Sequence, residues 1–425
     1  MKSEVDVVVI GAGAAGLAAG ASLHAAGSDV LVLEAAARTG GRAFTDTASL
    51  DATWDRGCHW LHSASVNPLR AEADRLGFAY ANRGSRQARG THLGTHWASE
   101  AERQALWEAI DGGFTRVKAA GRAGRDIPAT DVLDVPAPWN RMARHWLTLL
   151  SAAEPEFIST LDYAAYSDTG ENYPVARGYG ALVQAVAQDR APGLPVVLSC
   201  PVTRLDWSGA GVVAETPRGS VRARCAIVCL PTTVIAEGGL AFAPALPGGL
   251  AEAFAGLPLG AAEKVVFRFD REVFGMPDTS YTDMLDLTDP TRPPINFVLN
   301  PFGQHLAVGQ LGGDNARWLV AAGPEAMADF GMAALVDAFG ADIRRHLVAT
   351  AATDWVADPL IRGAYSCALP GLAHLRARLR EPLGERVLFA GEAVSEHDYS
   401  TCHGAHLTGL AAAQTALGWL GAKAA

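Results

Sequence analysis

Residues 5–16 read VDVVVIGAGAAG, and this stretch decides the fold. Its first six residues are nearly all apolar, which is typical of a parallel strand buried on both faces. Gly11, Gly13 and Gly16 then form a G-x-G-x-x-G motif. The first glycine permits the tight turn out of the strand, the second lets the backbone approach a pyrophosphate, and the third lets helix and strand pack closely.

The residues that follow complete a strand–helix–strand unit. Residues 14–26 predict a helix that Gly27 ends, and residues 29–34 (DVLVLE) predict a second buried strand. The N-terminus of this helix presents free N–H groups and a partial positive charge to an anion. Glu34 ends the second strand and is placed to bind a ribose 2′-hydroxyl. The unit therefore predicts a dinucleotide site, which on this evidence alone suits NAD and FAD equally.

A second set of blocks narrows this choice. Residues 38–42 read RTGGR, where two glycines before an arginine let the backbone fold over a pyrophosphate while the guanidinium neutralises it. Residues 55–62 (DRGCHWLH) come next. Near the other end of the chain stand residues 389–392 (FAGE) and 403–409 (HGAHLTG).

The composition is that of a globular protein with a large core, since the 425 residues are 49% apolar and 19% charged. Acidic residues outnumber basic ones by 45 to 35, which gives a net charge of −10. This balance argues against a nucleic-acid binder and suits a cationic ligand. The six cysteines are scattered without paired C-x-x-C spacing, so we expect no metal site and a reducing, cytoplasmic location. The apolar run at residues 407–420 is too short for a membrane anchor and predicts a buried helix.

Rossmann-like features occupy both ends of the chain, whereas the middle has a different pattern of predicted helices and short strands. The simplest arrangement is an α/β fold in which a dinucleotide-binding domain is split in sequence and an α+β domain is inserted. Helices are predicted at residues 98–121, 138–153, 343–349 and 403–419, and strands within residues 194–230 and at 263–270 and 386–390.

In the order and spacing of its blocks the chain resembles the flavin-dependent amine oxidases. Members of that family show G-x-G-x-x-G, E-A-x-x-R-x-G-G-R, D-x-G-x-x-W-[IL]-H, F-A-G-E and H-G-A-x-x-[ST]-G, and the matches here span the chain. One departure is Ala36, where the family often has arginine. The resemblance implies FAD in a split Rossmann-like domain with an inserted α+β substrate domain. The expected FAD-binding parts are residues 1–78, 186–260 and 369–425, and the expected substrate-domain parts are residues 79–185 and 261–368.

The resemblance also implies which residues contact FAD. It places Glu34 on the adenosine ribose, Val202 at the adenine, and Gly41 and Arg42 near the pyrophosphate. Glu392 would meet the ribityl chain or the pyrophosphate. The full expected set is Gly11, Gly13, Ala15, Gly16, Glu34, Ala35, Arg38, Gly41, Arg42, Gly57, Trp60, Val202, Trp355, Gly391, Glu392, Thr401, Cys402 and Ala405.

Some relatives link the flavin covalently to a cysteine that follows a glycine in the block matched here by residues 363–366 (GAYS). This chain has Ala364 and Tyr365 there, and Cys367 lies out of register. The resemblance therefore implies FAD that is held without a covalent bond.

Four residues are expected on the reacting side: Lys264, His62, Tyr365 and Thr401. Tyr365 matches an aromatic wall whose ring face can hold an amine beside the flavin. Thr401 falls where monoamine oxidases have a second aromatic wall, and the string YSTCHGA at residues 399–405 looks most like animal spermine and acetylpolyamine oxidases.

The other two residues follow the same resemblance. His62 matches a histidine of the polyamine-oxidising branch that hydrogen-bonds a substrate nitrogen. Lys264 matches a lysine that holds a water next to flavin N5. Taken alone, Lys264 also fits a solvated strand edge, His62 a satisfied structural histidine, and Tyr365 a half-buried strand tyrosine.

The implied activity is oxidation of a cationic amine, a polyamine or another secondary amine, by hydride transfer to flavin N5. The imine then hydrolyses to an aldehyde and an amine, and molecular oxygen is reduced to hydrogen peroxide. Neither a nucleic acid nor a membrane is expected as a partner.

Several alternatives stay open. One is a primary-amine, cyclic-amine or amino-acid oxidase of the same fold, in which Arg268 or Arg362 could bind a carboxylate. The others are a carotenoid-desaturase-like redox enzyme and a FAD-binding scaffold without turnover. Acidic residues such as Asp162, Asp168 and Glu171 could steer a polycation, although surface solvation accounts better for each of them.

Overall fold

The fold is described from a computed structural model, which describes residues 2–81 and 89–422. The strands are β1 Glu4–Ile10, β2 Val30–Leu33, β3 Thr45–Asp46, β4 Trp54–Asp55, β5 Trp60–Leu61, β6 Gly90–His92, β7 Tyr173–Pro174, β8 Val196–Val197, β9 Arg204–Asp206, β10 Val212–Thr216, β11 Gly219–Val228, β12 Ala241–Ala243, β13 Ala262–Phe269, β14 Ser280–Met284, β15 Ile295–Leu299, β16 Leu306–Gly312, β17 Leu347–Ala352 and β18 Val387–Phe389. The α-helices are α1 Ala14–Ala25, α2 Pro68–Arg75, α3 Glu100–Arg122, α4 Thr130–Leu133, α5 Asn140–Ser151, α6 Thr160–Ala165, α7 Tyr179–Arg190, α8 Thr232–Ala236, α9 Gly248–Gly256, α10 Gly313–Ala322, α11 Pro324–Phe339 and α12 Cys402–Ala422. Short 3-10 helices lie at Pro155–Phe157, Pro301–Gly303, Ala341–His346, Ala373–Arg380 and Glu392–Val394.

Strand β1 lies inside an eight-stranded sheet, with β2 and β11 parallel to it on either side. The order is β12-β9-β10-β11-β1-β2-β8, and β18 pairs with the end of β11. Val7 and Val9 pack into one core and Val8 into another, because helices and loops cover both faces of the sheet. Strands from the first 33 residues, from residues 196–243 and from residues 387–389 thus meet in one sheet.

A second, six-stranded sheet has the order β17-β13-β16-β15-β14-β6. Its pairs are antiparallel except for β14 with β6. One face packs on α10 and α11 around Phe267, Leu319 and Leu335. The opposite face is turned toward the cavity described below.

The two ends of the chain are joined by helices α1 and α12. The contact is close, because a Cβ built at Gly409 of α12 would lie 2.2 Å from the carbonyl oxygen of Ala15 in α1. In the residues that the structure describes, no helix is long and apolar enough to cross a membrane.

Most of the predicted elements are confirmed, and the chain has the mixed α/β architecture expected. The helices predicted at residues 98–121, 138–153 and 403–419 are α3, α5 and α12. The strands predicted at residues 263–270 and 386–390 are β13 and β18, and those within 194–230 are β8 to β11.

The predicted helix at residues 343–349 is wrong in its second half. A 3-10 helix ends at His346, and Leu347–Ala352 forms strand β17. Val348 and Thr350 are β-branched, which favours extended backbone, and β17 pairs with the edge of β13. The gain from completing the sheet therefore outweighs the local helical propensity of this alanine-rich segment.

Candidate active site

One cavity of about 780 Å3 lies between the two sheets. At one end it is lined by the turn after β1 and by the end of β2, and at the other by α5 and the six-stranded sheet. Every residue predicted to contact FAD lines this cavity except Gly16. The four residues predicted on the reacting side also line it.

The glycine turn combines tight packing with open space. A Cβ at Gly16 would lie 1.8 Å from the carbonyl oxygen of Gly11, so only glycine lets α1 begin this close to β1. Gly11 itself has φ +97°, a conformation that favours glycine. A Cβ at Gly13 would meet nothing within 4 Å, since that position borders the cavity. Gly16 therefore shapes the turn, and Gly13 leaves room for a ligand.

The carboxylate of Glu34 is fixed by the backbone around it. One oxygen accepts from the amide N of Ala12 at 2.5 Å and the other from the amide N of Ala36 at 2.8 Å. Val202 lines the same end of the cavity. A hydroxyl group in this end of the cavity would find a rigid acceptor.

Two arginines stiffen the next part of the wall. The Arg38 guanidinium lies 3.9 Å from the centre of the Phe44 ring and donates to the carbonyl of Gly41 at 2.9 Å. Arg42 donates to the carbonyl of Ala364 and to the carboxylate of Glu392, the latter at 3.0 Å. Arg42 and Glu392 thus tie the first segment of the chain to the last.

A row of polar side chains crosses the six-stranded sheet on its cavity face. We call its four residues, Lys264, Gln310, Asn296 and Asp283, the polar row. Lys264 of β13 is in register with Gln310 of β16, and Gln310 with Asn296 of β15. Asn296 is in register with Asp283 of β14 and donates to its carboxylate. Paired residues on adjacent strands point to the same face, so these side chains form one continuous row.

Lys264 begins this row at the end of the cavity nearest the glycine turn. Its ammonium donates to the carbonyls of Asp55 and Gly57, each at 2.7 Å. Burial lowers the pKa of Lys264 to about 8. The interpretation of Lys264 as a lysine on a solvated strand edge is therefore wrong.

His62 is oriented by a residue distant in sequence. Its Nδ1 lies 2.6 Å from the side-chain oxygen of Asn172. An amide oxygen only accepts hydrogen bonds, so Nδ1 carries the proton and Nε2 keeps a lone pair. Burial lowers the pKa of His62, which keeps the ring neutral near pH 7. Nε2 can therefore accept a hydrogen bond in the cavity.

Tyr365 and Thr401, which match the two aromatic-wall positions of the family, differ in what they do. Tyr365 presents its ring to the cavity and donates its hydroxyl to the carbonyl of Leu149 in α5. Thr401 donates to the carbonyl of Asp398 at 2.6 Å and accepts from the amide N of Gly404 at 3.0 Å. Its hydroxyl therefore caps α12, and Tyr166 and Tyr399 supply further aromatic wall nearby.

Sequence reasoning missed several residues of the site. Asn172 orients His62, and Asp55 receives the backbone N–H of Tyr179 at 3.1 Å. Arg89 lines the cavity above the end of the polar row. Asp55 opens the block at residues 55–62 but was not predicted as a site residue. Asn172 and Arg89 stand in no motif, so only the fold brings those two to the cavity wall.

The arginines considered as carboxylate ligands lie elsewhere. Arg268 is in β13 but is not part of the cavity wall. Arg362 lines the cavity beside Asp358, whose charge acts on Arg38 at the dinucleotide end, and pairs with Glu237 at 2.9 Å. Neither is therefore placed beside His62 and Tyr365.

The comparison with protein families decides the affiliation. The family model described as flavin containing amine oxidoreductase matches residues 14–167 and 137–417. The chain belongs to the flavin containing amine oxidoreductases.

Similar proteins among the flavin containing amine oxidoreductases include two plant enzymes. "Probable polyamine oxidase 4" of Arabidopsis thaliana is 29% identical, over 96% of this chain and 86% of that protein. "Polyamine oxidase 4" of Oryza sativa subsp. japonica is 28% identical, over 97% and 88%. "Lysine-specific histone demethylase 2" of Homo sapiens is 24% identical, over 95% of this chain and 52% of that protein.

The cofactor of this flavin containing amine oxidoreductase is non-covalent FAD, and the cavity fits it. Gly13 leaves open space at the N-terminus of α1, and Glu34 offers a fixed acceptor at the end of β2. Arg42 places a positive charge further along the same cavity wall. The positions where some relatives have a linking cysteine are occupied by Ala364 and Tyr365.

Proposed function

We propose that this amine oxidoreductase oxidises a polyamine or another secondary amine at the C–H bond next to nitrogen, with molecular oxygen as the acceptor. The observation that carries the proposal is one continuous cavity whose wall includes both the glycine turn and the side chains of Lys264, His62 and Tyr365. Bound FAD would accept a hydride equivalent, while the side chains of the cavity position the amine.

The two sheets support a division into two domains. The eight-stranded sheet is drawn from residues 1–78, 186–260 and 369–425, which would form the Rossmann-like FAD-binding domain. The six-stranded sheet is drawn from residues 79–185 and 261–368, which would form the substrate domain. The cavity lies where these parts meet, a common place for ligand sites.

The FAD-binding residues have distinct tasks in this proposal. Glu34 would hold the adenosine ribose, Gly13 and Gly41 would let the backbone approach the pyrophosphate, and Arg42 would neutralise it. Glu392 acts by fixing Arg42, since its carboxylate also accepts from the hydroxyl of Ser366 at 2.7 Å. The start of α12 would face the flavin with its positive end.

On the reacting side, His62 and Tyr365 would position the amine. The neutral Nε2 of His62 accepts an N–H of the substrate, and the ring of Tyr365 limits where the carbon next to nitrogen can lie. Thr401 supports this wall by capping α12. No proton needs to be removed from carbon by a side chain, so the cavity requires no strong base.

Lys264 would hold a water molecule in the same region. Two of its three ammonium protons are engaged by the carbonyls of Asp55 and Gly57, which leaves one for a further acceptor. A water held there can attack the imine product, giving an aldehyde and an amine. The positive charge of Lys264 would also favour the reduction of oxygen to hydrogen peroxide.

The similar plant proteins named polyamine oxidases support an amine substrate that is long and secondary. The net charge of −10 favours a cationic amine over a nucleic acid and gives no reason to expect a membrane partner. The six cysteines are scattered without paired C-x-x-C spacing, which supports a reducing, cytoplasmic location.

A substrate panel tests the proposed function. Purified holoenzyme should release hydrogen peroxide with secondary amines such as spermine, spermidine or N-methylated amines, and acid precipitation should leave a colourless pellet and a yellow supernatant. Peroxide release with none of these amines would contradict the amine-oxidase proposal, and a yellow pellet would contradict non-covalent FAD.

A further inference from the structure

The far end of the cavity contains an arginine that the proposed function does not use. Arg89 immediately precedes β6, and its side chain lines the cavity while only 14% of it is exposed. Its Nη1 donates to the carboxylate of Asp283 at 3.2 Å. Asp283 is fully buried at the end of the polar row, so the arginine is drawn over the cavity face of the sheet.

Aromatic rings hold the guanidinium of Arg89 in place. Its central carbon lies 4.7 Å from the ring centre of Trp146 in α5 and 5.2 Å from that of Tyr281 in β14. Tyr281 in turn accepts from the indole N–H of Trp60 at 3.3 Å. Packing of this kind restricts rotamers and orients a planar fork of N–H groups before any ligand arrives.

Among the described residues, the ion pair engages one nitrogen of this fork. Only Nη1 of Arg89 donates to an acceptor among the residues that the structure describes. The carboxylate of Asp283 is shared with Asn296, whose own side-chain oxygen faces His145. Both donors reach Oδ1 of Asp283, while its buried Oδ2 has no hydrogen-bond partner among the described residues. Among the same residues, Arg89 has N–H groups left for an oxyanion in the cavity.

The other charges around this compartment favour the same ligand. Lys118 of α3 lies half-buried on the cavity wall, and Lys264 lies at the other end of the polar row. Asp168 also lines the cavity, but its side chain is exposed to solvent at the cavity entrance. A ligand with several ammonium groups would be repelled by Lys118 and Lys264. A carboxylate would be attracted by these two lysines and by Arg89.

The polar row sets the distance between the two ends. Lys264 and Asp283 are three strand spacings apart, which corresponds to about 14 Å between their backbones. The carboxylate of an α-amino acid is attached to the carbon that bears the amine, so it would lie beside Lys264 and His62. A ligand that reaches both ends needs several carbons between nitrogen and carboxylate.

Resting on the proposed function, we propose that Arg89 binds the carboxylate of the substrate, and that the preferred substrates are secondary amines with a carboxylate several carbons from the nitrogen. Arg89 is then a specificity-determining residue for this oxidoreductase. Its oxyanion contact fixes the far end of the chain and so places the C–H bond next to nitrogen at the flavin end of the cavity.

The test compares matched substrates in the holoenzyme. We expect kcat/KM for 6-(methylamino)hexanoate to exceed that for its carboxamide by about 10- to 100-fold, mainly through KM, since one charge-assisted contact is lost. N-methylglycine and spermidine should both be poorer substrates than the hexanoate. Hexanoate alone should perturb the flavin absorbance and compete with the substrate.

Three variants separate recognition from folding. Arg89→Gln should abolish the preference for carboxylate over carboxamide, and so should Arg89→Gln combined with Asp283→Asn, which leaves no unpaired buried carboxylate. Arg122→Gln, at the exposed end of α3, should keep the preference. A readout of the ratio between two substrates is insensitive to a general loss of folded enzyme.

Four results would overturn the inference: equal kcat/KM for acid and amide, a wild-type preference for spermidine, loss of both activities in equal proportion in the Arg89 variants, or hexanoate that leaves the absorbance unchanged. The first three leave the proposed function intact, because amines are still oxidised. If no amine in the panel is oxidised, the proposed function fails as well, and the inference about substrates fails with it.

Discussion

Among single residues, Lys264 illustrates how burial changes the chemistry of a side chain. Its ammonium has two backbone carbonyls as partners and lies in a cavity wall, where desolvation lowers its pKa to about 8. The charged form is present below that pH and is lost as the pH rises through it. A role that depends on this charge must therefore weaken in mildly alkaline solution.

Lys264→Met is expected to slow the reaction of the reduced enzyme with oxygen on the order of 100-fold, because it removes a fixed positive charge. In the wild type this rate should fall between about pH 7 and about pH 9 as Lys264 loses its proton, and in the variant it should be flat. Stopped-flow absorbance of the flavin measures both. Lys2→Met, in the exposed segment before β1, is the control. An unchanged rate in Lys264→Met would refute the role assigned to the charge.

The sequence predicted the direction of Lys264 but not its surroundings. Alternation along residues 263–270 places Lys264 on the face opposite Val265 and Phe267, and the structure agrees. That this face is covered follows from contacts with Asp55 and Gly57, more than 200 residues away. Such contacts depend on how distant segments pack, which a local pattern does not contain.

At the level of elements, the junction of β1 and α1 contains two glycines with opposite roles, Gly13 in the turn and Gly16 in the first turn of α1. A Cβ at Gly16 would collide with the backbone of Gly11, while a Cβ at Gly13 would enter open cavity. The sequence motif requires glycine at both positions, and only the geometry shows that the two requirements have different causes. One requirement concerns folding and the other concerns the ligand.

Gly16→Ala should lower the free energy of unfolding by about 3 kcal/mol, because β1 and α1 must separate to admit the methyl group. Gly13→Ala should change the stability of the FAD-free protein by less than about 1 kcal/mol, yet weaken FAD binding at least roughly 10-fold. Urea unfolding of the FAD-free protein and flavin titration distinguish the two effects. Equal losses of stability in both variants would contradict the separation.

Strand β17 marks the limit of prediction for elements. Residues 343–349 contain good helix formers, yet the segment from Leu347 onward pairs with β13. The strands that were predicted correctly, such as β1 and β13, have strong apolar patterns of their own. Where the local pattern is weak, a free sheet edge decides the structure.

Over the whole molecule, a buried ion pair links the middle of the chain to its C-terminal part. Arg376 donates to both carboxylate oxygens of Asp162, at 2.8 and 2.7 Å, and each side chain is only 5% exposed. The same guanidinium lies 3.9 Å from the ring centre of Tyr399, which lines the cavity. The pair therefore supports the aromatic wall from behind, and Asp162 is not available to steer a substrate.

Asp162→Ala is expected to destabilise the protein by about 3–5 kcal/mol, because it leaves the charge of Arg376 buried without a partner. Glu381→Gln is the matched control, since its ion pair with Arg378 is more than half exposed and should matter little. Thermal or urea unfolding of the FAD-loaded enzyme measures the difference. Similar stabilities for the two variants would show that the ion pair between Asp162 and Arg376 does not stabilise the contact between the middle of the chain and its C-terminal part.

The sequence contains the cofactor site more completely than the substrate site. The FAD-binding residues come in blocks, because strand, turn and helix N-terminus must follow one another to meet a pyrophosphate. The substrate compartment is assembled from single residues such as Asn172, Asp283 and Arg89, which lie in different segments. Their meeting depends on strand register across the second sheet, and no local pattern encodes it.

The central claim is that the cavity joins an FAD site to an amine site. Anaerobic titration of the purified yellow enzyme with a secondary amine tests it most directly, because no oxygen chemistry intervenes. We predict that the flavin absorbance bleaches with one equivalent of amine per FAD, that aldehyde forms in the same amount, and that air restores the colour with release of hydrogen peroxide. Flavin that stays oxidised with polyamines, monoamines and carboxylated secondary amines alike would contradict the account.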